Sequence, residues 1–198
     1  MQIPASLVKQ LREKTNLGVM DCKVALQEAK GDIEEAIRIL QKRGMTIAEK
    51  KSGRATTEGL ITSYVHTDGK IGVLVEVNCE TDYVARNDEF KALGKDIAMQ
   101  IAALCPRWVR PEEVPPEVVE QEQECYRAAW DQSGKPKEVV ERIVEGKLKK
   151  FYQETCLYEQ PFIRDENITV KQLLSSKIAQ FGENVVVKRF VRYALGRK

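Results

Sequence analysis

Apolar positions along the chain switch between a helical period and a strand period, and the switches mark out the elements. Ser6 stands where it can cap a helix whose Leu7, Val8 and Leu11 fall on one face. The pattern breaks around Asn16, Leu17 and Gly18, after which Asp21 is placed to cap a second helix through Ala29. Gly31 stops that helix. Asp32-Ile33-Glu34-Glu35 then makes a capping-box-like start for a third, with Ile33, Ala36, Ile37 and Leu40 as its apolar stripe and Gly44 as its expected end. Three helices this close in sequence predict a compact bundle over 1–45, and the polar, basic stretch 46–58 reads as a linker.

The period then changes to two. Residues 60–66 and 71–77 are rich in Val and Ile, with Asp68-Gly69 between them as a favoured turn, so they predict a hairpin. Ile71, Val73, Val75 and Val77 share one face of its second strand, which helices must cover. Helices are predicted over roughly 87–104, 116–131 after Pro115-Pro116, 136–153 after Gly134-Lys135-Pro136, and 169–180 with Asn167 or Thr169 as cap. The short turn between the second and third of these predicts an antiparallel helical hairpin at about 112–153. After the break at Gly182-Glu183-Asn184, residues 185–193 read as a strand beside the hairpin. The expected fold is α+β: a three-helix bundle, a linker, and a core over 59–198 in which a small three-stranded antiparallel sheet is covered by helices.

Composition narrows the function. A chain of 198 residues with net charge +2 is large enough to bury a core and lacks the basic excess of a dedicated nucleic-acid binder. There is no apolar leader and no run long enough to cross a bilayer. Cys22, Cys79, Cys105, Cys125 and Cys156 are odd in number and scattered, which suits reduced thiols and a cytoplasmic protein.

Candidate chemistry is sparse. The one histidine, His66, sits at the hairpin tip and reads as an exposed loop residue. No second histidine exists for a triad, zinc spacings are absent, and neither a P-loop nor a GxGxxG follows a strand. No metal, cofactor or enzymatic activity is expected. The lysines at 147, 149 and 150 alternate with Glu138, Glu141 and Glu145 along the helix, which suits a solvated face better than an RNA site. An enzyme pairing His66 with Cys79, and a ribosome- or RNA-associated binding module, are the remaining alternatives.

One segment stands out. Asn78-Cys79-Glu80-Thr81-Asp82-Tyr83-Val84-Ala85-Arg86-Asn87 joins the second strand to a helix and carries Tyr83 and Val84 in a short connection. On composition, Tyr83 either folds back onto the core or faces a partner. This stretch resembles the Cys-Glx-Thr-Asp-Phe-Val-Ala-Arg/Lys signature of the elongation factor Ts family. Leu11-Arg12-Glu13-Lys14-Thr15-Asn16-Leu17-Gly18-Val19-Met20-Asp21-Cys22-Lys23-Val24-Ala25-Leu26 is similar to that family's second signature. Further likeness lies in 144–150, Glu159-Gln160-Pro161-Phe162, Gly182-Glu183-Asn184-Val185 and Arg189-Phe190, so the resemblance spans the chain in order.

The resemblance implies a ubiquitin-associated-like N-terminal bundle, a linker, and an α+β core with a protruding helical hairpin. Longer family members carry a second core copy that this chain lacks, and a homodimer could supply that surface. It implies a guanine-nucleotide exchange factor whose partner is elongation factor Tu, with no cofactor and no direct nucleic-acid contact. By position Thr81, Asp82, Tyr83 and Val84 would enter the GTPase, the ring wedging near the nucleotide and disturbing Mg²⁺ and phosphate binding. Lys9, Arg12, Val19 and Met20 would grip the GTPase as well, although alone they read as bundle core (Val19, Met20) and solvated face (Lys9, Arg12). Here Tyr83 stands in place of the usual Phe, and Asn16-Leu17 and Val19 in place of Gly-Ala and Met. A tyrosine hydroxyl buried without an acceptor would cost about 1–3 kcal/mol.

Overall fold

The computed structural model describes residues 3–15, 17–131 and 136–196. Asn16 and the Gly134-Lys135 turn therefore lie outside the described residues. The architecture is α+β, with eight α-helices and a three-stranded antiparallel sheet among the described residues. Two compact units are interleaved in sequence. One takes the chain up to Leu60, Val77–Lys91 and Gln172–Val186; the other takes Ile61–Glu76, Ala92–Lys171 and Val187 onward.

In the first unit, helices α1 (Ala5–Thr15), α2 (Val19–Glu28) and α3 (Ile33–Lys51) pack on one another. Their core is Val8, Leu11, Cys22, Ala25, Leu26, Ala29, Ala36 and Leu40, with Leu7, Ile33 and Ile37 partly buried against it. Both expected stripes are therefore the packed faces. The caps differ from expectation at two of the three starts. Leu7 and Val8 donate to the Pro4 carbonyl, which puts Ser6 inside α1, and α2 begins after Gly18, which puts Asp21 in its first turn. Asp32 caps α3 as expected, its carboxylate accepting from the Glu34 and Glu35 amides at 2.8 and 3.1 Å.

The expected stop at Gly44 does not occur, and α3 runs on to Lys51. The expected linker 46–58 is thus helical over its first part. Gly44 is buried, and a Cβ there would come within 3.5 Å of the Ser175 carbonyl oxygen. That is ordinary van der Waals contact, so the position is packed without requiring a glycine, and nothing there ends the helix. Helix α2 does stop by Gly31: Lys30 (φ 52°) and Gly31 (φ 93°) both take left-handed backbone, and their amides close onto the Gln27 and Leu26 carbonyls at 3.2 and 2.8 Å.

In the second unit lies most of the sheet, formed by β1 (Glu58–Val65), β2 (Ile71–Cys79) and β5 (Val186–Ala194) in the order β1-β2-β5. The turn closes with His66 donating to the Ile71 carbonyl at 2.9 Å and with Gly69 at φ 69°. Val73 and Val75 are buried and Leu74 is exposed, as the alternation requires. Helix α5 (Asp88–Leu104) buries Leu93, Ile97, Ala98 and Ile101. Helices α6 (Pro116–Asp131) and α7 (Lys137–Thr155) pack as the expected hairpin, bridged by an Arg127–Glu141 ion pair at 3.1 Å. Pro116 opens α6, whereas Pro136 stands one residue ahead of α7. A two-stranded ribbon, β3 (Pro161–Phe162) with β4 (Asp165–Thr169), precedes α8 (Val170–Phe181) and was not anticipated, because that stretch has no period-two alternation to betray it.

Candidate protein-binding site

Strand β2 ends at buried Cys79, and the chain then turns into α4 (Asp82–Arg86), a helix of only five residues. A helix that short is too brief to hold itself together. Its order comes from three sources. Thr81 caps it, the Oγ1 accepting from the Val84 amide at 3.4 Å. Val84 and Ala85 bury their side chains and tether the turn from below. The rest comes from a segment more than a hundred residues further along the chain.

Glu183 lies just past the end of α8, where Gly182 turns the chain at φ 70°. One oxygen of its carboxylate accepts from the Glu80 and Thr81 amides at 3.1 and 3.0 Å. The other accepts from the Thr81 hydroxyl at 2.6 Å. Glu80 returns the contact, its carboxylate accepting from the Asn184 amide at 2.6 Å and from Arg54 at 3.4 Å. Asn184 is itself buried and donates to the Arg54 and Ser52 carbonyls at 3.0 and 3.4 Å. Two carboxylates thus each receive the other segment's backbone. The Asn184 amide, with Arg54, holds the Glu80 carboxyl below the ordinary glutamate range.

This arrangement decides what Tyr83 does. Its side chain is 81% exposed, which excludes the fold-back onto the core that composition allowed. Asp82 is also exposed and pairs with Arg86 at 2.7 Å along α4. Of the four residues expected here, Thr81 therefore caps, Val84 anchors, and Asp82 and Tyr83 face outward. Glu80, Glu183 and Asn184 were not among the expected site residues. Glu183 and Asn184 were visible as a chain break and as one of the segments of family likeness, but without a role, since nothing in their local pattern tells which distant amide a carboxylate will meet.

The second expected group lies on the bundle. Lys9, Arg12 and Val19 line a groove of about 290 Å³ together with Ile3, Ala5, Val8 and Lys23. Val19 and Met20 are 48% and 66% exposed, so neither belongs to the bundle core. Lys9 pairs loosely with Glu13 at 3.9 Å. The groove has an apolar floor and a basic rim, which suits a protein surface carrying acidic groups.

His66 is exposed at the hairpin tip, its Nδ1 3.1 Å from the Tyr64 hydroxyl. The Cys79 thiol is buried and donates to the Thr81 carbonyl at 3.1 Å; burial first, and then the nearby Glu183 carboxylate, push it up to about 11. Such a thiol stays protonated at neutral pH and is a poor nucleophile, which tells against an enzyme built on His66 and Cys79. Among the described residues no cluster of three His, Cys, Asp or Glu could hold a metal, and no helix is long and apolar enough to cross a membrane.

Comparison with known proteins places the chain among relatives of one kind. Residues 5–197 match the family model described as Elongation factor TS. An elongation factor Ts from Fervidobacterium nodosum is 59% identical over 196 residues, covering 99% of this chain and all of the relative. One from Carboxydothermus hydrogenoformans is 57% identical over 98% of this chain and 89% of its own length. One from Thermotoga neapolitana is 55% identical over the full length of both.

Proposed function

The chain belongs to the elongation factor Ts family, and from that premise we propose that it is the guanine-nucleotide exchange factor of elongation factor Tu, acting in the cytoplasm during translation elongation. It binds the GDP-loaded GTPase, opens the nucleotide site and lets GDP leave so that GTP can load. No covalent bond is made or broken. The observation that carries this reading is Tyr83, a large aromatic ring left 81% exposed on a turn that the rest of the unit holds in place.

The ring enters the GTPase near the nucleotide and disturbs the elements that bind Mg²⁺ and phosphate, with Asp82 beside it. Thr81 and Val84 fix the turn from which it projects. The bundle groove, through Lys9, Arg12 and Val19, supplies a second grip together with exposed Met20. The scale is adequate. Accelerating release ~1,000-fold requires about 4 kcal/mol of differential stabilisation. Burying one aromatic supplies about 1.5–3 kcal/mol, and weakened Mg²⁺ coordination supplies the remainder. Linkage then requires GDP to weaken factor binding by the ratio in which the factor weakens GDP binding, so loading of GTP frees the factor.

A homodimer belongs to the same proposal. It is supported by the outer face of the sheet, where Ile61, Leu74, Glu76, Arg189 and Val191 border an open groove of about 280 Å³ with exposed Tyr193 further along β5.

The test is release of a fluorescent GDP analogue from elongation factor Tu with wild type and with Tyr83→Ala. Strong acceleration by wild type, lost in a mutant that remains folded, is the expected result. Acceleration that survives the mutation moves the wedge to Asp82 or the bundle. No acceleration by wild type sinks the exchange reading and favours the RNA-associated module.

A further inference from the structure

Tyr83 can act as a wedge only if its backbone stays put while the ring is pushed into a packed partner. A five-residue helix cannot resist that load by its own hydrogen bonds. The Thr81 hydroxyl is the joint through which outside support reaches α4. It has one proton and two lone pairs. By donating that proton to Glu183 at 2.6 Å, it turns a lone pair toward the Val84 amide and completes the cap. The same carboxylate fixes the two preceding peptide units through the Glu80 and Thr81 amides. Three donors converge on one ionised acceptor, the kind of site where hydrogen bonds are strongest.

We propose that Glu183 is a positioning residue of nucleotide exchange, which holds the Thr81 backbone and hydroxyl so that Tyr83 meets the partner already ordered. This rests on the exchange reading given above. Glu183 itself need not touch the partner. Its carboxylate is occupied by donors of its own unit, and its contribution is to preorganise a turn that would otherwise have to be ordered as the ring enters, in the step that releases GDP. Asn184 and Glu80 close the clasp from the other side, the Asn184 amide reaching the Glu80 carboxylate at 2.6 Å.

The proposal separates a positioning role from simple loss of fold. Glu183→Ala removes all three acceptor contacts. Glu183→Gln keeps one carbonyl oxygen for the two backbone amides but places an amide group toward the Thr81 hydroxyl. Thr81→Val removes the joint and leaves the side-chain shape. Stopped-flow release of a fluorescent GDP analogue, run over a range of factor concentrations, separates apparent affinity from the maximal release rate. At saturation Glu183→Ala is expected to lose about tenfold or more in that rate, with Thr81→Val similar and Glu183→Gln between Ala and wild type. In a Tyr83→Ala background, Glu183→Ala should cost little further, since its effect runs through the ring.

Amide hydrogen exchange on the free factor supplies a readout independent of the partner. Glu183→Ala should lose protection at the Thr81 and Val84 amides while the amides of α3 keep theirs. Protection and maximal rate unchanged in Glu183→Ala, with wild type active, would overturn the proposal and leave the exchange reading intact. Equal losses with and without Tyr83 would overturn it too, by making Glu183 merely structural or a contact in its own right. Failure of wild type to release GDP would overturn the exchange reading and, with it, the positioning role.

Discussion

Gly59 tests whether the root of the proposed protein-binding turn is as tightly built as it looks. It is the second residue of β1, at φ 148°, and a Cβ placed on it would lie 2.2 Å from the Val77 carbonyl oxygen and 2.7 Å from the Asn78 Cα. Both neighbours are backbone, in the final residues of β2 before Cys79 and Glu80. Gly59→Ala must therefore rotate residue 59 out of its conformation or drive the two strands apart. The conformation alone costs about 1–3 kcal/mol for a residue with a side chain, and forcing extra volume into a filled contact adds about 1–3 kcal/mol more. A lost pairing hydrogen bond adds about 0.5–1.5 kcal/mol, for a total of roughly 3–6 kcal/mol once the terms overlap. At about 2–4 °C per kcal/mol for a chain of this size, Tm should fall by about 6–12 °C at the low end. Thermal and urea unfolding of wild type and variant measure this directly. Because Asn78 leads into the Glu80–Thr81 clasp, GDP release at saturating factor should slow as well. A Tm within 2 °C or so of wild type would show that the strands separate at little cost, and the account of Gly59 would be refuted.

Thiol reactivity should rank by burial: in native protein Cys125, which is exposed, is modified by a maleimide or disulfide reagent first, while Cys79, raised to about 11, resists until unfolding. Early modification of Cys79 by mass spectrometry would show that its pocket opens. The Glu80 carboxyl is depressed in the folded state, so its contribution to stability is present above the unfolded value near roughly pH 4.3 and is lost as pH falls through the lower, folded value. The stability gap between wild type and Glu80→Gln should then be constant above roughly pH 5 and narrow below it; a gap that does not depend on pH would remove the Asn184 contact as its cause. Met20→Ala, at a side chain 66% exposed, should change folding stability by less than about 0.5 kcal/mol while weakening association with elongation factor Tu by about 1 kcal/mol or more. Calorimetric titration tests it, and unchanged affinity would take Met20 out of the interface.

Legibility differed by the range of the interaction. Stripes such as Ile33-Ala36-Ile37-Leu40 and the alternation through Val73 and Val75 could be read because burial on one face follows from helix and strand geometry alone. Asp68-Gly69 announced its turn for the same local reason, and the signature around Thr81–Val84 marked the proposed site through resemblance. The misreadings were also local in kind. Gly44 looked like a helix stop because glycine often is one; its place against the Ser175 carbonyl was invisible until α8 and α3 were placed within one unit. Pro161–Thr169 hid a strand pair for want of alternation.

What the sequence determined, then, was each element whose register depends on its own neighbours, together with the signature that marks the proposed protein-binding turn. Only the tertiary structure decided that Tyr83 faces outward, that Val84 anchors, and that Glu183 reaches back 102 positions to hold Thr81. The reason is physical. A carboxylate carries no record of its partner in the residues beside it, and the amides it satisfies are chosen by where two distant turns of backbone come to rest.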